Sequence, residues 1–301
     1  MGVLRVDHPD IEEFIRAKQN TGSLTNFNVS IAVTDNFMEA VRDNTGFDLV
    51  WGGKKYRTVN ARNLWQEIMR STWDWAEPGV LFIDRINNLN NLWYCERIAA
   101  TNPCAEQPLP PNGACLLGSF NLVKYIATEE IGFSDGKPEL QRIFDWPRFL
   151  SDIPLVVRAM DNIVDRALYP LEAQYTEANS KRRMGLGITG VANALEALGF
   201  VYGSPEFCNF LDELLKKFTN EVYRASALLA AEKGPFPLFV KSVYLEGEFV
   251  KRLDEDVQKL IFTHRHHAQL AFELPTSLKP KSGNQEVLHL FLLAGVKLHP
   301  R

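Results

Sequence analysis

Short apolar runs separated by polar, cap-forming residues set the rhythm of the first part of the chain. "GVLRV" (Gly2 to Val6), "NFNVSIAV" (Asn26 to Val33) and "GVLFID" (Gly79 to Asp84) are nearly unbroken apolar stretches. Such runs fit strands of a parallel sheet covered on both faces, because neither face can be polar there. Between them, "DHPDIEEFIRAK" reads as a helix entered at Asp7 or His8, with Pro9 near the first helical position and acids in the first turn. "TDNFMEAVRDN" reads as a second helix capped by Thr34 or Asp35. "FDLVWGGKKYRTV" reads as a β-hairpin turning at Gly52-Gly53, and "ARNLWQEIMRSTWDWA" has helical periodicity. Alternating strands and helices predict an α/β fold with a largely parallel sheet.

Further along, "ERIAAT" leads into a loop with prolines at 103, 108, 110 and 111, and "SFNLVKYI" leaves it as an expected strand. Residues 128 to 140 read as a surface excursion. From "WPRFLSDIPLVVRAMDNIVDRAL" onward the pattern becomes mainly helical. "SKRRMGLGITGVANALEALGF" places Gly185, Gly187 and Gly190 at the expected start of a helix. A long amphipathic helix follows, capped by Ser204 and ended by Gly234. The stretch from Phe272 to Arg301 has neither clear caps nor a clear period, and its apolar run "VLHLFLLAGV" is short. No internal repeat is present.

Composition narrows the classes. The chain has 301 residues, 46% hydrophobic and 23% charged, enough to bury a sizeable core. A net charge of −4 with no basic stripe argues against nucleic-acid binding. The cluster Lys181-Arg182-Arg183 is too short to change that, and is expected to make a local anion contact or a solvated face. No charged-then-apolar leader opens the sequence, and no apolar run reaches the roughly 18 residues of a membrane span. Cys95, Cys104, Cys115 and Cys208 contain no C-x-x-C pair. With no export signal, thiols in a reducing cytoplasmic compartment are expected, and a thioredoxin-like oxidoreductase is not.

The proline-rich loop carries the candidate chemistry. Asn102, Cys104 and Glu106 are spaced i, i+2, i+4, which puts all three on one side of an extended segment. An amide, a sulfur and a carboxylate would then face one site, and the prolines would restrict the loop. The competing reading of such a cysteine is a small apolar core filler. Cys95 and Cys208 are read as structural. His264, His266 and His267 lack the spacing and partner cluster of a metal site and read as a solvated helix end, so no metal is expected. Gly185, Gly187 and Gly190 follow a basic run rather than a strand, which speaks against a dinucleotide fingerprint.

Taken whole, "NPCAEQPLPPNGACLLGSFNL" closely resembles the finger loop of ribonucleotide reductase large subunits, most of all the adenosylcobalamin-dependent class II. "MGVLRVDHPDIEEFI", "NFNVSIAVTDNFMEAV" and "RRMGLGITGVANALEALG" agree and occur in the family's order. The resemblance covers roughly residues 1 to 270. It implies the central part of a ten-stranded α/β barrel with a central finger loop, incomplete at both ends. It implies radical reduction of ribonucleotides to deoxyribonucleotides. Cys104 then corresponds to the thiyl-radical cysteine, Glu106 to the base on the 3′ hydroxyl and Asn102 to the residue orienting the sugar hydroxyls. Cys115, eleven residues beyond Cys104, corresponds to one of two cysteines that reduce the substrate and form a disulfide. Backbone groups from Asn102 through Pro103, Cys104, Ala105 and Glu106 would contact substrate.

The resemblance further implies adenosylcobalamin as cofactor, or else a separate metal-containing radical subunit. Its partners would be a ribonucleotide substrate, a nucleotide effector bound through segments not in this sequence, a thioredoxin-like or dithiol reductant, and an upstream polypeptide or a second copy; neither nucleic acid nor membrane is expected. In the family the "MGVLRVDHPDI" segment lies internally, and after a segment like "HAQL" comes a phosphate-binding Pro-Thr-Gly-Thr loop. Here "LPTSLKPKSGNQ" replaces that loop, so residues 271 to 301 are expected to be an atypical tail produced by a frameshift or junction. The alternative expectation is an inactive remnant that at most binds a partner.

Overall fold

Gly2–Arg5 (β1) leads into a short helix, Ile11–Arg16 (α1), and the apolar run Val29–Val33 (β2) pairs parallel to β1, Gly2 opposite Val29 and Arg5 opposite Ala32. This computed structural model describes residues 1–19, 22, 24–135 and 137–264, with the backbone of Leu270–Ala271. Thr34 accepts a hydrogen bond from the Phe37 N–H and so starts Asp35–Asp43 (α2), as its hydroxyl at the end of a strand allows. Gly46–Trp51 (β3) and Lys54–Asn60 (β4) form the antiparallel hairpin, turning at Gly52 and Gly53, both with positive φ. Asn60 caps Ala61–Trp75 (α3), after which Gly79–Phe82 (β5) pairs parallel to β2. Ile83–Asn88 (α4) follows.

The described residues up to 111 form one unit, with a three-stranded parallel sheet in the order β1-β2-β5. All five residues of β2 are buried, as the central strand of a covered parallel sheet must be. Its core gathers Ile31, Val33, Phe37, Leu49, Leu64 and Ile68. The first helix begins later than the sequence predicts: Asp10, not Asp7 or His8, precedes it, and its side chain makes no cap bond. Asp7 is instead buried against Arg5, whose guanidinium donates to it. The unit ends in a small hairpin of Ala100–Thr101 (β6) and Pro108–Leu109 (β7).

The described residues from 112 on form the second unit. Leu116–Asn121 (β8) is its first strand. The expected strand over "SFNLVKYI" stops at Asn121, whose side chain accepts the Val123 N–H and opens a 3-10 turn over Leu122–Tyr125. Ile126–Ser134 (β9) and Lys137–Phe144 (β10) form the expected surface excursion, a long antiparallel hairpin. Trp146–Arg166 (α5) and Glu172–Lys181 (α6) follow.

Met184–Thr189 (β11) corrects the reading of the glycine-rich stretch as a helix start. It is a strand paired parallel to β8, Met184 opposite Leu116 and Thr189 opposite Asn121. Its alternation of Met184, Leu186 and Ile188 with Gly185, Gly187 and Thr189 is short and runs straight into the helix signal that follows. Only Gly190 belongs to the helix signal: at φ +73 it precedes Val191–Ala197 (α7). Pro205–Lys233 (α8) is capped by Ser204 and closed at Gly234 as expected. Lys241–Tyr244 (α9) and Glu255–His264 (α10) follow, and Leu270–Ala271 (β12) pairs with β11, giving the order β12-β11-β8. Phe120 of β8 meets Phe149 of α5 and Phe218 of α8 edge-on, with centroids 5.6 Å away in both cases. Among the described residues no sheet closes into a barrel. The stretch read as an atypical tail lies, beyond Ala271, outside the described residues.

Candidate active site

Residues 102 to 107 form a turn between β6 and β7, not the extended segment that the i, i+2, i+4 spacing assumes. The Asn102 N–H donates to the Gln107 carbonyl at 3.1 Å, and the Ala105 N–H donates to the Asn102 carbonyl at 2.9 Å. Ala105 sits at φ +68, in the left-handed region that residues bearing a Cβ rarely occupy. Tight reversal, rather than pleating, thus places the side chains. Pro103 lies in the exposed part of the turn, and Pro108 pairs with Thr101 at the first position of β7.

The turn still brings two predicted residues together. Asn102 donates from Nδ2 to Glu106 Oε1, and its Oδ1 accepts the Gln107 N–H at 2.8 Å. One amide therefore fixes both the loop backbone and the carboxylate. The other carboxylate oxygen, Glu106 Oε2, is buried and has no hydrogen-bond donor among the described residues. A buried carboxylate oxygen without a donor costs free energy. Cys104 is exposed in the same turn. Gln107, not singled out from the sequence, is almost wholly buried and anchors the turn through its backbone. Thr101 donates from Oγ1 to the Asn102 carbonyl at 3.0 Å.

Cys115 lies in the second unit, immediately before β8, half-buried, with its Sγ 3.7 Å from the Leu116 carbonyl oxygen. No disulfide forms among the described cysteines. Cys95 and Cys208 are both exposed. His264 is the last residue of α10, whereas His266 and His267 lie outside the described residues. Among the described residues no group of His, Cys, Asp or Glu is arranged to hold a metal ion. No described helix is long and apolar enough to cross a membrane.

The basic cluster makes local anion contacts, one of its two expected roles, and makes them inside the protein rather than on a solvated face. Lys181, Arg182 and Arg183 are all buried, not solvated. Lys181 pairs with Glu177 at 2.5 Å, and Arg182 pairs with Asp161 at 2.6 Å and Asp165 at 2.7 Å. Burial works against the Arg182 charge, but hydrogen bonds to Asp165 and Asp161 outweigh it and hold its pKa above the ordinary arginine value.

Comparison with known families settles the kinship. The model of the ribonucleotide reductase barrel domain matches residues 1–271. The chain belongs to the ribonucleotide reductase barrel-domain family. It is 35% identical over 254 residues to the vitamin B12-dependent ribonucleoside-diphosphate reductase of Thermoplasma acidophilum, covering 83% of this chain and 31% of that one. It is 37% identical over 245 residues to the enzyme of the same name from Mycobacterium tuberculosis, covering 80% and 34%. The large subunit of the ribonucleoside-diphosphate reductase of Arabidopsis thaliana is 26% identical over 279 residues. The chain thus spans about a third of the length of these relatives, and the match agrees with a partial barrel of α/β class.

Proposed function

We propose that this chain is the central catalytic portion of a ribonucleotide reductase, replacing the 2′ hydroxyl of a ribonucleotide with hydrogen once the remaining barrel segments are supplied. The buried, donor-less Glu106 Oε2 beside Asn102 is the observation that carries the reading. A ribose hydroxyl is a donor of the right kind for that oxygen. Glu106 then serves as general base on the 3′ hydroxyl, a task that needs hydrogen-bond reach first. Asn102 holds the carboxylate and orients the sugar, with backbone groups of Pro103 and Ala105 beside it. Cys104, exposed in the same turn, is the sulfur that takes the 3′ hydrogen as a thiyl radical. Cys115 supplies one thiol of the reducing pair, and its partner comes from a segment outside this sequence. The electrons are restored by a thioredoxin-like protein or small dithiol in a reducing cytoplasm.

The names of the relatives favour adenosylcobalamin as radical source over a separate metal-containing subunit. An exposed Cys104 sulfur fits a radical delivered from outside the turn. When bound, the cofactor would supply a carbon-centred radical able to take the thiol hydrogen. Residues 1 to 270 would form the central part of the catalytic barrel, and 271 to 301 a segment of separate character. A nucleotide effector would act through the missing segments.

The test mixes the chain with a polypeptide carrying the remaining barrel segments, adenosylcobalamin, dithiothreitol and an effector nucleotide, and assays deoxyribonucleotide. The expected outcome is product with the natural sequence and none with Cys104→Ser. Turnover retained by Cys104→Ser would remove that cysteine from its role. No product from a folded mixture would favour the inactive remnant.

A further inference from the structure

In the second unit, two successive residues of helix α5 reach β8, which follows Cys115, and the segment that leads into its partner strand β11. Met160 lies against β8, so close that a Cβ on Gly118 would stand 3.0 Å from its Sδ. The next residue, Asp161, is fully buried and turns to the residue that leads into β11. Arg182 donates to Asp161 Oδ1 from Nε at 2.9 Å and from Nη2 at 2.6 Å, and its Nη2 also reaches the Asp161 carbonyl at 3.1 Å. Two donors of one planar guanidinium on one acid fix orientation as well as distance. Arg182 itself stands at φ +53, a left-handed conformation that the pairing holds in place. Lys233 from the end of α8 donates to Asp161 Oδ2 at 2.7 Å, so the carboxylate is occupied on both oxygens.

The strands meet at the same end. The carbonyl of Arg183 faces the Leu116 N–H at 3.5 Å, and Met184 stands opposite Leu116. Cys115 is the residue just before that first pair. We infer that the Asp161–Arg182 clamp is a positioning device for the Cys115 thiol, holding β11 against β8 at the end where the thiol sits. The inference deepens the proposed function, since it gives Cys115 a fixed place among the reducing thiols and rests on that reading for its purpose. Its geometry involves neither Cys104 nor the turn at 102 to 107.

The experiment measures alkylation of the folded 301-residue chain by iodoacetamide, read by peptide mass mapping, with the exposed Cys208 of the same unit as internal reference. Arg182→Lys keeps the charge and loses the fork. It is expected to raise the Cys115-to-Cys208 rate ratio roughly three- to tenfold, as local opening at a strand end does, with the far-UV circular dichroism unchanged. Lys233→Met removes the outer cation and leaves the fork. It is expected to lower the thermal midpoint while the ratio stays within about twofold of the natural chain. An unchanged ratio in folded Arg182→Lys overturns the proposal, and so does an equal rise in Lys233→Met, because the effect would then be general loosening. Should Arg182→Lys not fold, Asp161→Asn, which keeps the shape of the acid but removes the charge that holds the guanidinium, is read the same way, an unchanged ratio in the folded variant again overturning the proposal. No turnover enters this readout, so a failure of the reductase reading would leave the clamp result standing.

Discussion

Asn102 and Glu106 work as a couple in which one amide holds both the loop and the carboxylate. Replacing Glu106 with Gln keeps size but replaces a proton acceptor by an amide. Turnover of the completed enzyme is then expected to fall about 10²- to 10⁴-fold, the usual share of a general base, with KM changed far less. A raised KM with kcat unchanged would mark Glu106 as a binding group only. Tyr125 gives a second test at this scale. Its hydroxyl donates to Asp152 at 3.0 Å, and burial, reinforced by that bond and the carboxylate charge, pushes its pKa up to about 12. The folded state thus favours the neutral phenol. Its contribution to stability is complete below the ordinary value near 10 and is lost as pH rises toward 12. The difference between the natural chain and Tyr125→Phe in absorbance at 295 nm is expected to show a step near the upper value; a step near 10 would mean that the phenol is solvated. The residues of the turn were legible in the sequence as a set. Their geometry was not, because i, i+2, i+4 spacing aligns side chains only in an extended chain, and Ala105 at φ +68 reverses it.

Apart from the start of α1 and the end of β8, elements whose signals are local came out as their residues predict. Thr34, Asn60 and Ser204 each accept the backbone N–H three residues on, at the starts of α2, α3 and α8. Thr34→Ala is expected to cost about 1 kcal/mol in urea unfolding, with an unchanged m-value. A loss near zero would show that α2 is held by Phe37 and its neighbours alone. Ala76 ends α3 at φ +61, where a Cβ is costly. Ala76→Gly relieves roughly 1–2 kcal/mol of that conformation while adding freedom to the unfolded chain, so a net gain of about 0.5 kcal/mol is expected in the same assay. A net loss would mean that the Ala76 methyl packs usefully. Strand β11 escaped sequence reading for a physical reason. Met184, Leu186 and Ile188 alternate with Gly185, Gly187 and Thr189, but a period of two over only six residues is masked by the helix signal that begins at Gly190, and pairing with β8 tells strand from helix.

Across the whole molecule, β1 and β5 each have a strand neighbour on one side only among the described residues, and so does β8. Unpaired edges of buried-type parallel strands attract further strands. In sedimentation the chain alone is expected to show a weight-average mass that climbs with concentration, and an added polypeptide carrying the remaining barrel segments is expected to suppress the climb. A constant monomer mass at all concentrations would mean that the edges are covered. The sequence by itself determined the class of fold, the caps of α2 and α8 and the Gly52-Gly53 hairpin, since each of these depends on neighbours in the chain. Only the tertiary structure decided that Lys181, Arg182 and Arg183 are buried, that Asp161 meets Arg182 across 21 positions and Lys233 across 72, and that one oxygen of Glu106 has no donor among the described residues. Burial and charge pairing are properties of groups brought together from distant parts of the chain, and a linear pattern of residue types does not contain those distances.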